Sequence, residues 1–145
     1  CGISMDIISG FCSEKEEEHN DTLSLMEAVK YDFGYMFSYS ERPNTQAQRK
    51  LDDDVPKEIK KRRLQEIIDL QMKHSLIRNK EQIGKSHIVL VEGVSKKSKQ
   101  ELYGRNSQNT VIVFPKEDCK PGDYVLIYVE SCTSATLKGK VIKVI

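Results

Sequence analysis

Two apolar runs near the start of the chain each end in polar residues, and a helical pattern lies between them. Residues 3–11 form the first run and residues 33–40 the second. Between them, apolar residues recur at helical spacing up to about Tyr31. Ser13 and Glu16 fit the S-x-x-E capping-box pattern, which predicts the start of the helix. The order of these patterns predicts a β-α-β unit.

The second apolar run has one aromatic face and one mostly small face. Every odd position from Phe33 to Tyr39 is aromatic, whereas the even positions hold Gly34, Met36 and two serines. We expect the aromatic face to pack against helices and the small face to stay open toward a barrel lumen or a ligand. Because the chain opens in the middle of a strand-helix-strand pattern, we also expect it to be the tail of a larger α/β domain.

The second half of the chain combines one long helical pattern with a series of short strands. Pro56 in a first turn, preceded by three aspartates, predicts a helix that Gly84 ends. Such a helix would be about 40 Å long, enough to bridge two bodies. From Ser86 the hydrophobic period changes to two. The predicted strands cover residues 86–93, 100–105, 109–114, 123–130 and 136–144.

These patterns predict three parts of the chain. Residues 1–55 form an α/β barrel tail (strand-helix-strand), residues 56–83 a bridging helix, and residues 84–145 a small five-stranded antiparallel β-barrel of the OB-like kind. Closure of the barrel is expected because open edges are a liability in so small a sheet.

Charge divides the chain into an acidic and a basic half. The net charge of +1 combines −7 over residues 1–55 with +8 over residues 56–145. A basic half favours a polyanion partner, although an ordinary solvated surface explains the same balance. Charged residues make up 31% of the chain and its mean hydropathy is −0.53, which is typical of a soluble globular protein. No apolar run reaches membrane-spanning length, and the N-terminus has no basic n-region and no signal-peptide core, so we expect a cytoplasmic location and no membrane contact.

The carboxyl ends of the two predicted strands are the first candidate site, because ligands bind there in α/β folds. Gly10 and Phe11 follow the first strand and offer a backbone edge and an apolar face to a nucleoside cofactor. Tyr39, Ser40 and Arg42 follow the second, and Arg42 suits a carboxylate or phosphate. The alternative at Gly10 and Phe11 is an ordinary turn between a strand and a helix. The alternative for Arg42 is a surface salt bridge with Glu41 or Asp52.

The turns of the predicted barrel are the second candidate site. Small barrels bind single-stranded or looped nucleic acid through strand faces and loops. Tyr103 or Phe114 would either stack on a base or fill the core. The candidate RNA-binding residues are Lys96, Lys97, Lys99, Arg105, Asn106, Asn109 and Lys138.

Catalytic and metal-binding patterns are absent from the sequence. The four cysteines form no CxxC, the three histidines show no ligand spacing, and no Ser/His/Asp or Cys/His pair occurs. We therefore assign no catalytic residue and no metal ligand.

Three motifs together resemble one family. The run Asp6-Ile-Ile-Ser-Gly-Phe-Cys-Ser-Glu-Lys resembles the strand D-I-I-V-G-F-P-G-E-T, with Cys12-Ser13 in place of Pro-Gly. The run Tyr39-Ser-Glu-Arg-Pro-Asn-Thr resembles Y-S-x-R-P-G-T. With Gly104-Arg-Asn and Thr110-Val-Ile-Val-Phe, the whole chain resembles the C-terminal part of the radical S-adenosylmethionine methylthiotransferases. Residues 84–145 then correspond to the TRAM domain of that family.

The resemblance implies an enzyme that adds a methylthio group to C2 of an N6-prenylated adenosine beside the anticodon of tRNA. Such enzymes use S-adenosylmethionine and two [4Fe–4S] clusters, and the resemblance places Gly10, Phe11, Tyr39, Ser40 and Arg42 beside the cofactor or substrate. The TRAM barrel would bind the anticodon arm.

The family's cluster cysteines lie upstream of this region. We therefore expect the chain alone to hold no cofactor, to lack activity and to need the missing N-terminal part of the enzyme. Its exposed strands could instead pair with another copy.

Two other functions remain open. A ribosomal-protein methylthiotransferase would carry Glu-Glu where this chain has Arg42-Pro43, and it would differ in the loop around Arg105. A stand-alone RNA-binding β-barrel would leave the apolar faces of residues 3–39 without partner strands.

Overall fold

A computed structural model describes all 145 residues, which divide into two compact units. The N-terminal unit comprises Ile3–His74, and the barrel unit comprises Ser75–Ile145 with Cys1–Gly2. The three-part division at residues 55 and 83 stays a prediction. No helix combines the length and the apolar character that a membrane span requires.

The N-terminal unit is built on the predicted β-α-β arrangement. Its elements are β1 (Ser4–Ser9), α1 (Glu16–Val29), β2 (Phe33–Ser38), the short α2 (Gln46–Lys50) and most of α3 (Lys57–Lys80). Strands β1 and β2 pair in parallel, from Ser4 opposite Phe33 to Ser9 opposite Ser38. This sheet has two strands only, so it does not by itself form an α/β barrel.

The middle of β2 is the reverse of the prediction, whereas Phe33 at its start is partly buried and Ser38 at its end is exposed. Tyr35 and Phe37 are 59% and 60% exposed, whereas Gly34 and Met36 are partly buried. The expectation that the aromatic face packs against helices is therefore wrong. The reason lies at Gly34, where an added Cβ would stand 2.8 Å from the Met5 Cε atom. The small residue admits the Met5 side chain, so the small face is the packed one.

The start of α1 also differs from the predicted capping box. The helix begins at Glu16, and the Glu18 carboxylate accepts a hydrogen bond from the Lys15 amide at 2.8 Å. Ser13 has a φ of 64° and donates its amide to Asp54 at 2.6 Å. Ser13 thus ties its loop to the segment before α3 instead of capping α1.

Helix α3 has 24 residues, fewer than the 56–83 range predicted. The chain turns over residues 81–84, where Gly84 takes a φ of 83° that favours glycine. Within the N-terminal unit, the buried Ile67 of α3 and Met26 of α1 supply the apolar core. Gln71 donates to the Tyr31 carbonyl at 2.9 Å and holds α3 at the start of β2.

The barrel unit closes five strands into a ring. They are β3 (Ser86–Val94), β4 (Glu101–Asn106), β5 (Val111–Pro115), β6 (Tyr124–Cys132) and β7 (Leu137–Val144), in the order β3-β4-β5-β7-β6. Four neighbouring pairs are antiparallel, but β5 and β7 are parallel, with Ile112 opposite Leu137. The prediction of a wholly antiparallel barrel is therefore wrong. Directions cannot alternate around a closed ring with an odd number of strands, so one pair must be parallel.

Alternating residues of the five strands fill the barrel. Phe114 is 1% exposed and belongs to this core, so it is not available to stack on a base. Gly104 and Gly139 lie where a Cβ would collide with a backbone carbonyl of the neighbouring strand. The other buried apolar residues are Val89, Val91, Leu102, Ile112, Cys119, Val125, Ile127, Val129 and Leu137.

Candidate functional site

The carboxyl ends of β1 and β2 meet at one edge of the N-terminal unit. The Tyr39 amide donates to the Ser9 carbonyl at 2.7 Å, which extends the parallel pairing beyond the strands. The rings of Phe11 and Tyr39 meet edge to face with centroids 5.0 Å apart. Gly10, with a φ of 73°, turns the chain away from β1. Four of the predicted residues, Gly10, Phe11, Tyr39 and Ser40, are thus at one edge.

Arg42 lies farther along the same loop. Its side chain is exposed, and its carbonyl accepts the Thr45 hydroxyl at 2.9 Å. No hydrogen bond or ion pair joins Arg42 to the other four residues. Its place in the site stays a prediction.

Lys60 of α3 packs against Gly10 and Tyr39 at this edge and was not among the predicted site residues. The residue is 6% exposed, and its ammonium pairs with Asp53 and lies 5.0 Å from the centre of the Tyr39 ring. The same group donates to the Tyr39 carbonyl at 3.4 Å. Its aliphatic stem occupies the space in which a Cβ on Gly10 would stand. The basic run Lys60–Arg63, a few residues after three aspartates, was the available indication.

The buried Arg63 side chain holds the loop after β1 through two carboxylates. Its guanidinium donates to the Glu14 carboxylate at 2.8 Å and to the Glu14 carbonyl at 2.9 Å. The second Glu14 oxygen accepts the Gly10 amide at 2.9 Å. Arg63 also pairs with Glu16 at 3.0 Å. Helix α3 therefore fixes the backbone at Gly10 through one carboxylate.

Hydrogen bonds around this loop shift the pKa values of Glu16, Asp54 and Tyr39. Hydrogen bonds from Arg62 and Arg63 lower the pKa of Glu16 to about 2. The Ser13 amide lowers the pKa of Asp54. A side-chain hydrogen bond with Cys12, together with burial, raises the pKa of Tyr39. At neutral pH the carboxylates are ionised and the Tyr39 phenol is protonated.

Arg105 and Asn109 lie together at one end of the barrel. The Arg105 guanidinium contacts Glu92 at 3.4 Å and donates to the carbonyl and the side chain of Asn109, each at 3.2 Å. Asn106 is 7% exposed, and its side-chain oxygen accepts the amides of Gln108 and Thr110, each at 3.0 Å. That oxygen closes the β4–β5 turn, and the side-chain nitrogen of Asn106 lies 3.5 Å from the His87 Nδ1 atom, so the Asn106 side chain is largely engaged within the barrel.

The four predicted lysines lie away from this turn. Lys96, Lys97 and Lys99 are exposed in the β3–β4 loop, at the opposite end of β4. At about 3.3 Å per residue, Lys99 and Arg105 are separated by roughly 20 Å of chain. Lys138 is exposed on β7, opposite Val113. The structure therefore separates the predicted RNA-binding residues into distinct groups.

A shallow cleft beside Arg105 contains residues that the sequence analysis did not identify. Ser86, His87, Ile88, Leu90 and Tyr124 line it together with Arg105, Asn106 and Asn109. Burial and the charge of Lys85 lower the pKa of His87, so its ring is neutral at pH 7. The available indication was the apolar character of both faces of β3, since Ile88 and Leu90 alternate with the buried Val89 and Val91.

The donor set of the chain does not fit an iron–sulfur cluster. The four cysteines are free, and no group of three or more His, Cys, Asp or Glu side chains is arranged to hold a metal ion. A [4Fe–4S] cluster needs closely placed thiolates.

The barrel unit matches a known family model. Residues 80–142 match the model of the TRAM domain.

The whole chain is similar to tRNA-2-methylthio-N(6)-dimethylallyladenosine synthases. It is 61% identical to the enzyme of Amoebophilus asiaticus over 141 residues and 61% identical to that of Flavobacterium johnsoniae over 140 residues. It is 54% identical to the enzyme of Bacteroides fragilis over 140 residues. Each match covers 97% of this chain but only 29% to 31% of the relative. The predicted resemblance to the C-terminal part of the methylthiotransferases is confirmed.

Proposed function

We propose that the chain is the C-terminal part of a tRNA methylthiotransferase, which adds a methylthio group to C2 of a prenylated adenosine next to the anticodon. The observation that carries this proposal is the identity of about 60% over 97% of the chain to synthases named for that product. The same names weigh against a ribosomal-protein substrate. Because the similarity extends through residues 3–74, it also weighs against a stand-alone RNA-binding barrel.

The N-terminal unit, in this proposal, supplies the last strands of a larger α/β barrel. A parallel pair of six-residue strands is too small a sheet to be stable without further cover. Its outward face carries Ile8, Tyr35 and Phe37, each about 60% exposed. The remainder of the enzyme, upstream of this region, would cover that face.

The loop edge of the N-terminal unit suits one end of S-adenosylmethionine. Phe11 is 41% exposed and offers an apolar surface to a nucleoside, and the hydroxyl of the buried Ser9 has no hydrogen-bond partner in the protein. Gly10, Phe11, Tyr39, Ser40 and Arg42 would border the cofactor or substrate. S-adenosylmethionine, when bound beside the two clusters of the family, supplies radical chemistry. The cluster ligands must come from outside these residues.

The TRAM barrel would hold the anticodon arm of tRNA. Residues 84–145 contain ten Lys/Arg against six Asp/Glu, a net charge of +4. Exposed cations at both ends of β4 suit an RNA backbone that runs along the barrel. A cytoplasmic location belongs to the same proposal.

The loop edge is tested in a chimera in which this chain replaces the matching segment of the Flavobacterium johnsoniae enzyme. Arg42→Ala should lower methylthio transfer to tRNA and leave the iron content unchanged, because the exposed side chain supports no element of the fold. Lys50→Ala, which removes a neighbouring exposed cation at the end of α2, is the matched control. Wild-type turnover and wild-type cofactor affinity in the Arg42 variant would remove Arg42 from the site.

RNA binding is tested with the 145-residue chain and an RNA hairpin that has the sequence of an anticodon arm. Removing one phosphate contact should weaken binding and flatten the salt dependence by roughly one counterion. Arg105→Ala should show both effects. Unchanged affinity and salt slope would exclude Arg105 from the RNA surface.

A further inference from the structure

A row of three side chains crosses the outer face of the barrel. Leu90 on β3 stands directly opposite Tyr124 on β6 and directly opposite Arg105 on β4. Direct cross-strand partners share one face of a sheet. Since the neighbouring Val89 and Val91 point into the core, the row faces outward. At about 4.8 Å between strands, the row spans roughly 10 Å.

Two of the three side chains in the row, Tyr124 and Leu90, expose apolar surface on a barrel face that is ordinarily polar. Tyr124 is 53% exposed and Leu90 is 36% exposed, and Ile88, two residues away on the same face, is 57% exposed. The Arg105 guanidinium is held by Glu92 and Asn109 rather than moving freely. An aromatic ring, an aliphatic floor and a fixed guanidinium thus lie side by side.

We propose that the row Tyr124–Leu90–Arg105 is a stacking site for an unpaired nucleotide of the RNA bound by the barrel. The proposal rests on the RNA-binding function proposed above and identifies the part of the RNA recognised. Aromatic rings and guanidinium planes stack on unpaired bases, whereas paired bases in a duplex present no free face.

The charges beside the row fit the backbone of such a nucleotide. Lys143 on β7 stands opposite Leu126, which is itself the partner of Ile88, so a cation borders the apolar surface on the side away from Arg105. A base on the row would place its phosphates near one cation or the other. Glu92 is the acidic residue in the cleft, and Arg105 pairs with it.

The test uses the 145-residue chain and two RNA probes: an anticodon-arm hairpin with 2-aminopurine in the loop, and a duplex of the same stem without a loop. Tyr124→Ala should weaken hairpin binding about fivefold or more, the loss typical of one stacked base. The salt slope should not change, because no charge is removed. Quenching of 2-aminopurine should be lost, and duplex binding should be unaffected.

Two variants control for the fold and for nonspecific effects. Tyr124→Phe keeps the ring and should bind and quench as the wild type does. Tyr35→Ala removes a similarly exposed ring from the N-terminal unit and should leave hairpin binding and quenching unchanged. A fold lost in Tyr124→Ala would appear as a lower unfolding temperature, and Leu90→Ser then serves as the second variant with the same expected loss of quenching.

Three outcomes would overturn the inference. Wild-type affinity and quenching in Tyr124→Ala would do so even if Arg105→Ala weakens binding, and the RNA-binding function would then stand without the stacking site. Equal weakening for hairpin and duplex would exclude recognition of an unpaired base. If the wild-type chain binds neither probe at low salt, both the stacking site and RNA binding by this barrel are refuted, whereas the enzyme class is judged separately by the chimera.

Discussion

Two adjacent arginines of α3 provide a sharp test of how the loop after β1 is held. Arg62 and Arg63 both pair with the Glu16 carboxylate, but their surroundings differ. The Arg62 side chain is 42% exposed, whereas that of Arg63 is 5% exposed and also bonds to Glu14. Replacing each by Met keeps most of the aliphatic stem and removes only the charged hydrogen-bonding head.

The expected costs follow from burial. Exposed ion pairs contribute little to stability, so Arg62→Met should cost much less than Arg63→Met, although Arg62 also pairs with Glu66 at 2.7 Å. Removing one partner of a buried pair typically costs about 3–5 kcal/mol. The Glu14 and Glu16 side chains are 17% and 51% exposed and can be partly rehydrated. We therefore expect about 2–3 kcal/mol for Arg63→Met.

Hydrogen exchange measured by mass spectrometry reads this difference locally. Residues 10–14 contain the Gly10 amide bonded to Glu14 and the Ser13 amide bonded to Asp54. Their exchange should accelerate roughly 30- to 150-fold in Arg63→Met, and less than about fivefold in Arg62→Met. Residues 125–129 of the barrel serve as an internal reference and should not change. Equal acceleration in the two variants, or an equal change in the barrel, would refute the role of Arg63.

Three further predictions follow from the same structure. Gly104→Ala should destabilise the barrel by about 1–3 kcal/mol, because the added Cβ would collide with the Leu90 carbonyl. Gly93→Ala should cost less, because its Cβ would meet only the Tyr103 ring, which can move. Thermal unfolding of the two variants measures the difference. The folded pKa values of Glu16, Asp54 and Glu66 lie below their unfolded values. The urea midpoint of the N-terminal unit should therefore be constant above about pH 4.5 and fall toward pH 2. Glu16→Gln should make this fall less steep, and an unchanged fall in that variant would refute the contribution of Glu16. Amide hydrogens of residues 1–50 should exchange faster than those of residues 84–145. Sedimentation should show self-association of the chain, and Phe37→Lys should weaken it. Slow, uniform amide protection in a monomeric chain would exclude both expectations.

Much of the fold was predictable because its periods are local. Alternation along residues 86–144 located all five barrel strands to within a few residues. The parallel β5–β7 pair was not visible in any local pattern, since it follows from closing a ring of five strands. The faces of β2 were also misjudged, because the side chain that decides them, Met5, belongs to another strand.

The candidate sites divide in the same way. The meeting of Gly10, Phe11, Tyr39 and Ser40 was predictable because parallel strands end at one edge of a sheet, and their role beside a cofactor stays a prediction. Lys60 and Arg63 were not, because their partners stand 21 and 49 residues away in the sequence. On the barrel, the row of Leu90, Tyr124 and Arg105 depends on the register of three strands, which the sequence does not specify.

The proposed methylthiotransferase function is decided by the modified nucleosides in tRNA from cells that produce the chimera, in which this chain replaces the matching segment of the Flavobacterium johnsoniae enzyme. The host is a strain that lacks its own synthase, and its tRNA is digested and analysed by mass spectrometry. We expect 2-methylthio-N6-prenyladenosine at the level given by the unaltered enzyme, and none when the segment is deleted. A soluble chimera with full iron content that leaves the prenylated adenosine without its methylthio group would refute the proposed function.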